Sequence, residues 1–170
     1  MKHLAHRIGT DLDWVQTRAL KREYELRADG EVAATLRFRS SCSSLATAES
    51  ADGCWTFKRV GFWQNRMTVR ACGSEAEIAT KHRSTLELSD GRRYRAGGNV
   101  WLSRYLIQSE TGEPLIRYRK HGMMRLAAYM EITPAAAELA ELPWMAMLGW
   151  YVVAMIHSDA AAAASIATFG

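Results

Sequence analysis

Residues 142–156 run for 15 positions without a charge, and no other segment restricts the possible folds as much. The stretch contains Trp144, Met145, Met147, Leu148, Trp150, Tyr151, Val152, Val153, Met155 and Ile156, so a helix over it is apolar all round. No face of such a helix can be left in water without losing burial energy, so protein or lipid must enclose it. As a membrane span it is short, rising about 22 Å against a hydrocarbon core of about 30 Å. Its flanks are Glu138, Glu141 and Asp159, where Lys or Arg would anchor a span. Burial in protein is therefore expected, with insertion into a bilayer as the competing reading. Thr133-Pro134 is a candidate N-cap followed by proline at the first helical position, which predicts that the helix starts there and runs through residues 135–142. Residues 159–170 are expected to extend the helix or fray.

The rest of the chain supplies strands to do the enclosing. Between residues 23 and 39, Tyr24 and Leu26, then Val32, Ala34, Leu36 and Phe38, alternate with polar or small residues around Asp29-Gly30, the pattern of a β-hairpin. Asp52-Gly53, Asp90-Gly91 and Thr111-Gly112 repeat the turn signal at positions that need a positive φ. Period two continues in Trp55 and Phe57; Met67, Val69 and Ala71; Leu86 and Leu88; Ile116 and Tyr118; and Leu126, Ala128, Met130 and Ile132. Residues 99–108 place apolar side chains on both faces, which suits a strand covered twice or a short helix, and they are read as a further strand. An open series of curled strands leaves edges and an apolar face exposed, and closing the sheet around the helix covers both. The expected fold is therefore mainly β (α+β), an antiparallel β-barrel of hairpins enclosing one apolar C-terminal helix.

At 170 residues the chain fits one domain, with a core over about residues 20–158 and peripheral segments 1–13 and 159–170. Cys42, Cys54 and Cys72 are odd in number and form no C-x-x-C, so they are expected to be reduced, buried thiols. Residues 1–10 lack the apolar run of about 7 or more that a signal peptide requires, which places the chain in the cytoplasm, at most peripheral to a membrane. All 22 Lys and Arg lie in residues 1–133, against three Asp or Glu and no base in 134–170. Seventeen of those bases are Arg, whose planar fork suits phosphate and carboxylate groups; an arginine-rich composition accounts for the same count.

Three segments carry a likeness to a known family: Asp52-Gly53-Cys54-Trp55-Thr56-Phe57-Lys58-Arg59, Asp90-Gly91-Arg92-Arg93-Tyr94, and Glu141-Leu142-Pro143-Trp144-Met145-Ala146-Met147-Leu148-Gly149-Trp150-Tyr151. In this order, ending on an apolar helix, they resemble the tubby C-terminal-like superfamily, which includes tubby, the plant LURP-one-related proteins and the phospholipid scramblases, and most of all its small bacterial members. The resemblance implies a barrel around a central helix and a role at phospholipid surfaces. No D-x-D-x-D-G loop precedes the last helix, so calcium-dependent scrambling is not part of what it implies.

No P-loop, G-x-G-x-x-G, H-E-x-x-H or G-x-S-x-G occurs, and the histidines at 3, 6, 82, 121 and 157 show no ligand spacing. No catalytic residue, metal or cofactor is expected. His157 is read as a helix-end histidine facing the last carbonyls, and Trp144, Trp150 and Tyr151 as core. Alternation does predict a basic exterior: with Phe38, Phe57, Val69, Tyr94 and Tyr118 inward, Arg37, Arg39, Lys58, Arg70, Arg93, Arg95, Arg117 and Arg119 point outward. Lys58, Arg70, Arg93, Arg95, Arg117 and Arg119 are the candidate ligands for an anionic phospholipid headgroup. A solvated surface neutralised by Glu87, Glu110 and Glu131 is the alternative. A nucleic-acid binder stacking bases on Trp63, Tyr94 and Trp101 is a further reading, without a signature motif to support it.

Overall fold

The structure is a computed structural model that describes residues 3–19, 21–61, 66–99, 103–122 and 125–168, the last three through their backbone alone. Twelve antiparallel strands form a closed barrel. They are β1 (Leu12–Gln16), β2 (Glu23–Ala28), β3 (Glu31–Phe38), β4 (Ala46–Ser50), β5 (Gly53–Val60) and β6 (Arg66–Ala71). The second half is β7 (Glu77–His82), β8 (Thr85–Leu88), β9 (Arg93–Gly98), β10 (Arg104–Ser109), β11 (Pro114–His121) and β12 (Ala127–Ile132). Each strand pairs with its neighbours in sequence, and β1 closes the sheet against β12, with Leu12 opposite Met130 and Trp14 opposite Ala128. Closure removes every free edge, which an open sheet would present as a template for aggregation.

One helix, α1 (Leu142–Thr168), threads this barrel. From Glu141 to Met155 every residue except Pro143 is buried. Trp150 stacks on Trp14 with centroids 5.6 Å apart and meets the edge of Tyr24 at 5.5 Å, while Tyr151 lies 5.5 Å from both Phe38 and Phe57. These rings come from β1, β2, β3 and β5, so the inward residues of the barrel and one face of α1 make a single core. Among the described residues no helix is long and apolar enough to cross a membrane.

Sequence reading placed the helix start too early. Thr133 makes no side-chain cap; its hydroxyl donates to the carbonyls of Pro114 and Leu115, and residues Pro134–Ala136 form a 3₁₀ turn before α1 starts at Leu142. Residues 1–13 are not all peripheral either. Leu4 and Leu12 are buried, and buried Arg7 donates to Asp29 at 3.1 Å and Glu31 at 3.3 Å, which fastens the segment over the β2–β3 turn. That turn holds Asp29 at φ 51° and Gly30 at φ 79°, the left-handed pair the Asp-Gly signal requires. The cysteine expectation is overturned: Cys54 and Cys72 are joined by a disulfide across β5 and the end of β6, and Cys42 is exposed. Of the residues read as a strand at 99–108, 104–108 fall in β10 and 100–102 lie outside the described residues.

α1 enters the barrel at the end that holds the β8–β9 turn. There Tyr94 and Arg92 both donate to the Glu141 carboxylate, Arg92 at 2.5 Å. A carboxylate at a helix N-terminus also complements the helix dipole. Burial, and then the hydrogen bond to Glu141, push the Tyr94 phenol up to about 12. Burial raises Tyr105, Tyr118 and Tyr151 as well. A group whose pKa is raised on folding contributes its stability in full below its unfolded value, near 10 for tyrosine, and that stability is lost as pH rises from there through the raised folded value. Melting temperature is expected to be level to about pH 9.5 and to fall steeply above pH 10, with the absorbance of the buried tyrosines as tyrosinate appearing only as the protein unfolds; Tyr129, which is exposed, is replaced by Phe in this titration. Tyrosinate forming near pH 10 in the folded Tyr129→Phe variant would contradict the burial of the remaining rings.

Candidate functional site

The six basic residues offered as candidate headgroup ligands all point away from the core, and they fall into three groups. Lys58 and Arg70 lie on β5 and β6. Arg93 and Arg95 lie on β9, separated from β6 by β7 and β8, and Arg117 and Arg119 lie on β11 beyond β10. Carboxylates neutralise one member of each group: Arg70 meets Glu75 at 3.3 Å and Glu77 at 3.1 Å, Arg93 meets Glu87 at 3.1 Å, and Arg117 meets Glu131 at 3.1 Å. The alternation was legible, but strand order disperses the charges. A single patch of all six is not what the fold builds.

What the fold does build is a groove of about 990 Å³ on the outer face of β10, β11, β12 and β1. Arg104 and Arg119 stand directly opposite each other in the β10–β11 ladder, and neither guanidinium has a carboxylate partner among the described residues. Like charges facing across a strand pair are destabilising unless something lies between them. Next to them Tyr129 is 48% exposed, the large apolar side chain most open to solvent among the described residues. Its ring stacks on His121 at 4.1 Å and lies 5.5 Å below the Arg119 guanidinium. His121 is in turn held by Asp13 at 2.7 Å. Two forked cations beside an exposed ring suit a phosphate joined to an apolar or sugar moiety, each fork offering two parallel N–H donors. Arg104, His121 and Tyr129 were not found from sequence, because their role follows from register between strands.

A second feature appears once the connections are sorted by barrel end. At the end where α1 enters, the connections and the segment before β1 carry Asp11, Asp29, Asp52, Glu75, Asp90, Glu110, Glu113, Glu138 and Glu141, against Arg7 and Arg92 among the described residues. At the end where α1 leaves, the described residues of the connections that follow β1, β3, β5, β7, β9 and β11 include no Asp or Glu. They carry Arg18, Lys21, Arg22, Arg39, Arg83 and Arg125. The barrel is thus polarised along its axis, acidic at the entrance and basic at the exit, and such fields steer charged ligands before contact.

Among the described residues no group of three or more His, Cys, Asp or Glu is placed to hold a metal ion. The stacking triad considered for nucleic acid is broken, since Tyr94 is buried and its hydroxyl engaged with Glu141; Trp63 and Trp101 lie outside the described residues. His157 is not at a helix end, because α1 continues to Thr168.

No family model and no curated protein matches the chain. The fold does match that of a protein from Arabidopsis thaliana solved by X-ray crystallography, with a TM-score of 0.53, 14% identity, and coverage of 82% of this chain and 91% of that one. The likeness is one of fold. It carries the barrel around a helix across a wide sequence distance, and it assigns no ligand to the groove.

Proposed function

We propose that this chain is a non-enzymatic, tubby-like binding module that holds anionic phospholipid headgroups at a membrane surface. The observation that carries the reading is the Arg104–Arg119 pair, two arginines facing across a ladder, neither with a carboxylate partner among the described residues. An anion placed between them relieves their repulsion and uses both forks. The exposed Tyr129 ring beside them supplies an amphipathic contact of the kind favoured at membrane interfaces. The barrel enclosing an apolar helix agrees with what the tubby-like resemblance implies.

Co-sedimentation with vesicles tests this. The protein is expected to pellet with phosphatidylcholine vesicles containing phosphatidylserine and to stay in the supernatant with phosphatidylcholine alone. Each basic residue near a charged surface contributes about 1 kcal/mol, so Arg104→Glu/Arg119→Glu is expected to weaken binding by about tenfold or more with an unchanged melting transition. Equal binding to both vesicle types, or a variant that binds like the parent, counts against the proposal.

A further inference from the structure

Beside the point where α1 leaves the barrel lies a second cleft, of about 240 Å³, between the β1–β2 and β11–β12 connections. Its polar walls are Gln16, Arg22, Lys120, Arg125, His157 and Ser158, and no acidic side chain lines it. The walls are fixed rather than loosely gathered. Gln16 donates to the Lys21 carbonyl at 2.9 Å and accepts from the Leu126 amide at 3.4 Å, joining the two connections across the cleft. The Arg22 guanidinium sits 3.6 Å over the Phe38 ring and donates to the Ser43 carbonyl at 3.0 Å, while its buried Nε has no partner. Lys120 Nζ lies 3.4 Å from His157 Nδ1. Burial, and then the nearby Lys120 ammonium, hold His157 below the usual histidine range, so the imidazole accepts and the lysine donates.

The nearby acids lie outside the cleft: Asp159 pairs with Arg59 at 3.0 Å and acts on Arg22 only through space, and Glu23 lies 3.9 Å from Lys21. The helix dipole does not account for this cluster. α1 runs to Thr168, so its negative end lies roughly 16 Å beyond His157, while dipole effects fade within the last turn. Bases held together without acids, at the basic end of a polarised barrel, make a seat for an anion. The volume is below the ~300–1,000 Å³ of pockets that take whole small molecules, which suits a single phosphate group better than a nucleotide.

We propose that this cleft binds a phosphate monoester, with Lys120, Arg125 and Arg22 around the phosphate and His157 against it. The headgroup reading enters only as the source of that phosphate, a lipid such as phosphatidic acid, and a soluble phosphate ester presents the same group.

The test follows the imidazole resonances of the full chain by NMR during titration with inorganic phosphate at constant ionic strength. A saturable shift of His157 is expected, separate from that of His121, which reports the Arg104–Arg119 groove. Lys120→Gln/Arg125→Gln is expected to abolish the His157 shift, and Arg104→Glu/Arg119→Glu to leave it intact. Arg125→Gln alone, at an exposed position, serves if the double variant melts early. No shift, or a linear one matched by chloride, overturns the site. In the second arm, vesicles containing phosphatidic acid are expected to pellet more protein than vesicles of equal charge containing phosphatidylserine, a difference lost in Lys120→Gln/Arg125→Gln. A saturable His157 shift without vesicle binding keeps the cleft as a site for a soluble ester and removes the headgroup reading. Vesicle binding without the shift, and indifferent to Lys120→Gln/Arg125→Gln, removes the cleft and leaves the headgroup reading standing.

Discussion

A chain carrying Trp150→Asp has no cooperative melting transition. Trp150 is fully buried, stacked on Trp14 and edge-on to Tyr24 in the middle of α1. Truncating a large core aromatic costs about 3–5 kcal/mol through lost contacts and the cavity left behind. Placing a carboxylate there adds several kcal/mol more, because no cation lines that part of the core to pair with it. The sum reaches the whole stability of an ordinary domain, about 5–15 kcal/mol, so the barrel does not form around the altered helix. Near-ultraviolet circular dichroism and a thermal melt check this, with Trp150→Phe as a partner variant that keeps a ring and still folds. A Trp150→Asp protein that melts like the parent would refute the buried helix.

Gly149→Ala is the second substitution with a large expected effect, and two opposing effects decide its sign. In an isolated helix alanine is favoured over glycine by about 1 kcal/mol. Here a β-carbon at 149 would lie 2.6 Å from the Tyr118 ring carbons and closer still to its hydroxyl. Tyr118 is buried, and its hydroxyl donates to the Ala146 carbonyl at 2.5 Å, so the ring has no free direction in which to retreat. Overpacking costs about 1–3 kcal/mol, and a buried hydroxyl deprived of its acceptor costs about 1–3 kcal/mol more. Packing therefore outweighs propensity, and a net loss of about 2–4 kcal/mol is expected, a fall in melting temperature on the order of 5–15 °C for a chain this size. Gly149→Ala/Tyr118→Phe is expected to recover part of the loss. Stabilisation by Gly149→Ala alone would show that β11 does not press on α1 at this point.

The elements that could be read from sequence share one property: their signals are local. Asp29-Gly30 fixes its hairpin through two positive φ values, and the charge-free run at 142–156 forces enclosure whatever surrounds it. The strands that escaped notice lack such signals because of what they pack against. In β4 the inward positions are Ala46 and Ala48, small because α1 passes close by, and alanine carries little strand preference. In β7 an inward position is Lys81, buried with its ammonium donating to the Arg83 carbonyl, which interrupts the apolar alternation. β1 shows only Leu12 and Trp14 as inward apolar residues, too few to stand out, although it closes the barrel. The outward direction of Arg117 and Arg119 was legible for the same local reason. Their separation from Lys58 and Arg70, the facing of Arg119 by Arg104, and the pairing of Arg70 with Glu77 depend on strand order and register, which no window of sequence contains. The Cys54–Cys72 bond is of the same kind, since the β5–β6 pairing sets the two residues side by side.

The threading of α1 bears on how such a chain can be made. All twelve strands precede the helix in chain order, yet residues 142–155 fill the space the strands enclose. During synthesis the nascent sheet therefore waits, with its inward face uncovered, until the last core element emerges. Hairpins such as β2–β3 can form early from their own turns, but the ring has no reason to shut before there is something to shut upon. The decisive step in folding this barrel waits for α1, and holding factors that shield apolar strands have the whole interval before residue 155 appears in which to act.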